Sequence, residues 1–301
     1  LGNVTIQQAN AVIEVCQQVC KVTGYAAVAA GIAADITGKI IINDSNYNDF
    51  VSPVVDGEIK VRGLIPRDYS QCPVGYMACA KPFDLPLIPE SEWEERLAAQ
   101  RAAKAQLSDV RNRGMNGQPM PSRDQNGKGY CWAHSGTSAH LIVRAMQGQP
   151  YADLSAFAVA CIIKGFRDQG GWGSQGVEFM AERGIPTSEF WPQKSMKRDN
   201  DNPRTWENAK LHRITEWMDM EPGNKAQLVT CLLSGIPVVS DFNWWGHSVC
   251  TLDLVSIKPF RTRIWNSWGD GWSENGTGIL EGGKAVPDGM LAPRVATASK
   301  I

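Results

Sequence analysis

An excess of charge of either sign is missing from this chain: 30 Lys and Arg stand against 31 Asp and Glu over 301 residues. A net charge of −1 offers no electrostatic attraction for nucleic acid or for an acidic membrane surface. Runs of about 18 apolar residues are absent, so no segment reads as a membrane-spanning helix. The Ala-rich stretch 25–34 is short and reads as a buried helix. The first residues lack a basic region followed by an apolar one, so the expectation is a cytoplasmic chain without an export leader. Internal repeats and low-complexity tails are absent too. The length permits one large domain or two ordinary ones, with enough chain to bury a substantial core.

Zinc spacings are also lacking among the eight cysteines, so no metal site is expected. Cys16 and Cys20 sit four apart on an expected helix over 5–22, a geometry for packing rather than bridging. Cys161, Cys231 and Cys250 lie in apolar surroundings and read as small core residues. Cys72 and Cys79 flank Pro73 and Gly75, whose turn allows a bridge or leaves two free thiols. Short strands are expected at 39–42 and 58–64. The prolines of 83–89 predict an extended surface run, and Ser91-Glu92-Trp93-Glu94 predicts a capping box opening a helix to about Gln106.

Histidine is scarce, with four residues: His134, His140, His212 and His247. That scarcity gives weight to a constellation spread along the chain. Gln125 stands six residues before Cys131 in Asp124-Gln125-Asn126-Gly127-Lys128-Gly129-Tyr130-Cys131-Trp132-Ala133. Downstream come Gly246-His247 and Asn266-Ser267-Trp268-Gly269. Thiol, imidazole and carboxamide in that order are the parts of a cysteine nucleophile with an oriented base, and Gln125 could supply an oxyanion donor. His212 lies in a polar stretch and reads as a surface residue. His134, three residues after Cys131, reads either as a core histidine or as a second proton site.

These motifs resemble papain-like cysteine proteases over roughly 107–292. Val110 to Gly114 resembles the family's leading strand, Leu154-Ser155 its Leu-Ser, and Gln169-Gly170-Gly171 its cleft-lining turn. Val177 to Ile185 is similar to the helix that follows, and Gly235-Ile236-Pro237-Val238 to the strand before the histidine. The resemblance implies an α+β fold with two lobes, helical and β-rich, over 107–301, and cleavage of a peptide or protein substrate without a cofactor. It implies Cys131 as nucleophile, His247 as base and acid, Asn266 as orienter and Gln125 as oxyanion donor. Gly170, Gly171, Trp172, Tyr130 and Trp268 would line or shield the substrate cleft, while Tyr130, Trp172 and the pair Trp244-Trp245 either narrow it or belong to the core.

Lys128 and Asp168 stand where the family carries a disulfide, and an ion pair is expected in its place, worth about 0–1 kcal/mol if exposed. Residues 1–106 do not resemble the family's usual propeptide. They read as a pro-segment, a docking module or a permanent packing arm. Two rival functions stay open. One is a structural or assembly protein, such as a virion subunit docked through 1–106; the other is acyl or isopeptide transfer by the same residues.

Overall fold

In a computed structural model the described residues are 61–297, with the backbone of short strands at 41–42, 54–55 and 58–59. They belong to one compact unit spanning Ala33–Ile301. The strands are β1 (Ile41–Ile42), β2 (Val54–Val55), β3 (Glu58–Ile59), β4 (Lys81–Pro82), β5 (Ile214–Asp219), β6 (Val238–Phe242), β7 (His247–Ser256), β8 (Arg261–Trp265), β9 (Thr277–Glu281) and β10 (Gly289–Ala296). The helices are α1 (Trp93–Ala102), α2 (Leu107–Arg111), α3 (Cys131–Met146), α4 (Ala156–Ile163), α5 (Gly173–Glu182), α6 (Pro203–Ala209) and α7 (Lys225–Leu233). The class is α+β, as expected. Eight strands form one mixed sheet in the order β1-β9-β8-β7-β6-β10-β5-β4, and β2 pairs with β3 separately.

Two apolar cores divide the molecule. The first gathers α3, α4 and α5 around Trp132, Phe157, Met180 and Trp191. The second lies between the sheet and α7, with Phe242, Trp245, Trp268 and Leu280 at its centre. Helix α3 is buried from Cys131 through Arg144, which its run of small and apolar side chains permits. Strand β7 is buried over its first eight residues and packs on α3. This contact carries the two halves of the site toward each other.

Several local expectations are corrected. The segment expected to lead in as a strand is not one: Val110 and Arg111 end α2, which Gln106 and Asp109 open with a capping box, and 112–114 form a turn. The Ser91 box does not form: a single 3₁₀ turn at Glu90–Glu92 leads into α1, whose cap makes no side-chain bond. That helix stops at Ala102 rather than near Gln106, with Lys104 in the left-handed region at φ 50°. Cys72 and Cys79 are free, and Cys161, Cys231 and Cys250 are buried free thiols as expected. His212 is buried, not superficial: its N–H donates to Ala209 O at 2.9 Å and its carbonyl accepts the Ile185 N–H at 3.0 Å just ahead of β5. The helix expected over 5–22, the Ala-rich stretch and Cys16 with Cys20 lie outside the described residues. No helix among the described residues is long and apolar enough to cross a membrane.

Candidate active site

Cys131 opens α3, where unpaired backbone N–H groups and the helix dipole converge on the first turn. Trp132 fixes that turn by donating its indole N–H to Gly129 O at 2.9 Å. His247 opens β7, and its Nε2 lies 2.7 Å from Asn266 Oδ1. The same oxygen accepts the Ser267 backbone N–H at 2.7 Å. An oxygen already receiving one N–H must receive the imidazole proton as well, so neutral His247 carries its hydrogen on Nε2. Nδ1 is then a bare acceptor, and it makes no hydrogen bond. The Trp268 ring stacks on His247 with centroids 4.5 Å apart, and Trp245 meets it edge-on at 4.8 Å.

Hydrogen bonds tie the two halves together. Ser135, one turn along α3, meets the hydroxyl of Ser248, the neighbour of His247, at 2.8 Å. Gln125 Oε1 accepts the Ser267 hydroxyl at 2.7 Å, and its backbone N–H donates to Ser267 O at 2.9 Å. All four expected site residues are buried, with exposures of 0–1%.

The burial has a specific cause that the sequence did not reveal. Residues 61–65 run across the site as a strap. Leu64 N donates to Gly246 O at 3.0 Å, Ile65 N to Gly171 O at 2.9 Å, and Gly171 N to Gly63 O at 2.9 Å. Leu64 thus pairs in parallel with Gly171. Val61 O accepts the Gln125 side-chain N–H at 2.7 Å and the Trp268 indole N–H at 3.3 Å, while Arg62 donates to Trp245 O at 3.0 Å. Gly63 is indispensable to this fit: a Cβ there would stand 2.2 Å from the Gly129 carbonyl.

Covering the site changes its electrostatics. Burial pushes the Cys131 thiol up to about 12, partly offset by the backbones of Ser248, Gly63 and Trp132. Burial pushes His247 down to about 4, with Asn266 pulling the other way. The covered site therefore holds a neutral thiol and a neutral imidazole.

The cleft residues divide. Gly170 and Gly171 pass close beneath the strap, and a Cβ on Gly170 would meet Gly63 O at 2.6 Å. Trp172 follows them, half-buried, as the residue before α5. Tyr130 is corrected: its ring lies in the helical core edge-on to Phe157, and its hydroxyl donates to Arg167 O at 2.9 Å. It does not narrow the cleft. His134 is a core histidine edge-on to Phe157, held down to about 3 by burial and then by the charge of Arg123. Trp245 belongs to the wall behind His247 rather than to the cleft mouth. Lys128 and Asp168 do pair, at 3.4 Å, and Asp168 also accepts the Gly129 N–H at 2.8 Å.

Sequence reasoning passed over Asp241 and Arg67. The only signal for Asp241 was a carboxylate inside the apolar run Val238-Val239-Ser240-Asp241-Phe242. Cys79, Glu178 and Glu182 bring one ligand atom each within 4.8 Å of one another. Cys79 N donates to both oxygens of the Glu178 carboxylate, at 3.1 and 3.2 Å, which holds two of the three together.

Comparison with solved structures identifies the architecture as the papain-like cysteine-protease fold. Xylellain, a cysteine protease from Xylella fastidiosa, superposes with a TM-score of 0.55 at 19% identity, covering 78% of this chain and 96% of its own. A digestive procathepsin L from the larval midgut of Tenebrio molitor gives 0.58 at 16% identity, over 95% of this chain and 90% of its own. A structure from a study of the mite allergens Blo t 1 and Der p 1 gives 0.54 at 15% identity, over 94% of this chain and 98% of its own. No protein-family model matches the chain, and no curated protein matches it in sequence.

Proposed function

We propose that this protein is a cysteine peptidase of the papain-like type, held latent by residues 61–65. The reading rests above all on the His247–Asn266 pair, bonded at 2.7 Å beneath the Trp268 ring, with Nδ1 left bare. Once the strap leaves, water reaches the thiol and the burial penalty on its charge falls. Cys131 gives its proton to His247 Nδ1, and the helix N-terminus favours the resulting thiolate. Sulfur then bonds to the scissile carbonyl carbon, and its oxygen takes negative charge facing Gln125 Nε2 and the Cys131 backbone N–H. The C–N bond breaks as His247 returns the proton to the leaving amine. Water gives a proton to His247 and bonds to the acyl carbon, and the C–S bond breaks to restore the enzyme. Asn266 keeps the imidazole in the needed tautomer, and Trp268 keeps water from their bond. Gly170, Gly171 and Trp172 form the wall along which a peptide backbone pairs. Neither step calls for a metal or an organic cofactor.

Latency is supported by the carbonyl of Val61, which takes the Gln125 N–H that the oxyanion would need. The test is hydrolysis of a fluorogenic casein by the full-length chain carrying Gly63→Val, which displaces the strap. Turnover should appear, and should vanish when Cys131→Ala or His247→Ala is added. A folded Gly63→Val chain without turnover, whose Cys131 reacts with iodoacetamide no faster than its other thiols, would overturn the reading.

A further inference from the structure

The loop that carries α4 to the cleft wall, residues 164–171, gathers more positive charge than its neighbours offset. It leaves the helix through Gly165 at φ 59° and Phe166 at φ 64°. A bulky aromatic residue in the left-handed region is strained, and packing holds it there. The Phe166 ring stacks on Trp191 with centroids 5.9 Å apart, and the Arg198 guanidinium lies 4.5 Å from the Phe166 centroid. Arg198 also donates to Gly165 O at 3.5 Å, and Arg167 Nε donates to Lys164 O at 3.2 Å. Two guanidinium groups are thus held on adjacent carbonyls of one turn. The Lys164 ammonium donates to Gln175 Oε1 at 3.1 Å and lies 5.0 Å from the Trp132 ring centroid. A Cβ on Gly171 would stand 2.8 Å from that Gln175 oxygen, so this third charge sits beside the wall.

None of the three cations has a carboxylate partner among the described residues, because the acids nearby are taken. Asp168 is held by Lys128 at 3.4 Å and by the Gly129 N–H at 2.8 Å. Asp124 pairs with Lys194 at 3.3 Å, and Asp201 accepts the Trp206 indole N–H at 2.7 Å. Asp199 is the exception, and Lys197 stands beside it in sequence to balance it. Burial lowers the half-buried Lys164 ammonium below its usual value, with no opposing carboxylate. Arg167 and Arg198 are exposed. The strap meets the wall at Gly170 and Gly171 and makes no bond to either arginine, so this surface is open while the thiol is covered.

We propose that Lys164, Arg167 and Arg198 form a docking surface outside the cleft that captures an acidic segment of a protein substrate, and that it does so with the strap in place. The proposal rests on the peptidase reading only for calling that partner a substrate. Planar guanidinium groups bind carboxylates with two parallel bonds, and Arg198, already laid on Phe166, loses little further freedom on binding. The near-neutral chain supplies no wider positive field for a nucleic acid, so a short run of carboxylates is the anion that fits.

Fluorescence anisotropy on the native full-length chain tests the surface without turnover. The probes are labelled hexaglutamate, hexaglutamine and a single-stranded oligonucleotide of equal charge. Hexaglutamate should bind, and raising ionic strength from about 0.05 to about 0.2 M should weaken it several-fold. Arg167→Gln with Arg198→Gln should weaken it about 10-fold, while the charge-matched pair Lys210→Gln with Lys258→Gln, both exposed and elsewhere, should not. No binding, equal binding of hexaglutamine, an oligonucleotide bound as tightly, or equal loss in the two double variants would each overturn the surface. In the Gly63→Val chain, a hexaglutamate tail on one end of a fluorogenic peptide should lower KM about 10-fold at unchanged kcat, and Arg167→Gln with Arg198→Gln should abolish the gain. Turnover that ignores the tail at either end sinks the docking proposal alone. Hexaglutamate binding without any turnover sinks the peptidase reading alone.

Discussion

Valine in place of Gly63 would put a branched side chain where a single Cβ already stands 2.2 Å from the carbonyl carbon and oxygen of Gly129. Gly129 leads directly into α3 and is pinned by Trp132 and Asp168, so the strap must give way. Restoring an ordinary contact needs a displacement of about 1 Å or more. That lengthens the two bonds flanking Leu64, from Gly171 N to Gly63 O and from Ile65 N to Gly171 O, both 2.9 Å. At about 0.5–1.5 kcal/mol net each, their loss costs about 1–3 kcal/mol, or roughly 5- to 150-fold in the balance between covered and open states. Gly63 is not among the positive-φ residues, so backbone strain does not confuse the result. The assay is the rate of iodoacetamide addition to Cys131 near pH 7, followed by peptide mapping and compared with Cys131→Ala. The open state should label at least several-fold faster, because exposure and thiolate fraction rise together. Equal labelling of the native and Gly63→Val chains, both folded, would refute the reasoning.

Acid should destabilise the fold below about pH 6.5. Burial holds His134 down to about 3 and His212 and His247 to about 4, so the unfolded chain binds protons there that the folded chain refuses. Stability is then full above the unfolded value and falls by up to about 1.4 kcal/mol per pH unit for each histidine, down toward its folded value. His140, held well below its usual value by burial, adds a fourth contribution of the same sign, and Asp241, raised to about 6, offsets one of the four between about pH 6 and 4. Urea midpoints measured from pH 7 to 4.5 should decline, and a flat profile would contradict the burial of these rings. Lys128→Ala should change stability by less than about 1 kcal/mol, since both partners of its 3.4 Å pair are over one-third exposed. Asp168→Ala should cost more, because it also strips the Gly129 N–H of its 2.8 Å acceptor; equal urea midpoints for the two variants would contradict this. Gly184→Ala should destabilise the fold by more than about 2 kcal/mol and lower the melting temperature sharply. Gly184 has φ +82°, and a Cβ there would stand 1.9 Å from Ala209 O.

Cys131, His247 and Asn266, the proposed nucleophile, base and orienter, stood out because each sits inside a local signature whose chemistry needs those residue types. The Gly129-Tyr130-Cys131-Trp132 stretch places the thiol at a helix start, and Asn266-Ser267-Trp268 supplies acceptor and shield within three residues. The family likeness, rather than local pattern, pointed to a helix over Val177 to Ile185 and a strand over Gly235 to Val238, and the elements found there are α5 and β6 with their bounds shifted. The pattern failed at 110–114, where a backbone capping box outweighed a family likeness, and at Tyr130, whose neighbours in sequence say nothing of which lobe its ring enters. His212 went the same way. The strap was invisible, because Val61 to Ile65 has no composition of its own and acquires meaning from Gly129, Gly171 and Gly246, partners distant in the chain. Asp241 was equally silent: a carboxylate in an apolar strand is uninformative until Gly173, Gly289 and Tyr69 are seen around it. The residue types written into the chain establish which bonds can be made and broken. Whether the thiol is covered and what charge it carries are set by long-range packing, since desolvation and chain crossing depend on groups brought together from across the fold.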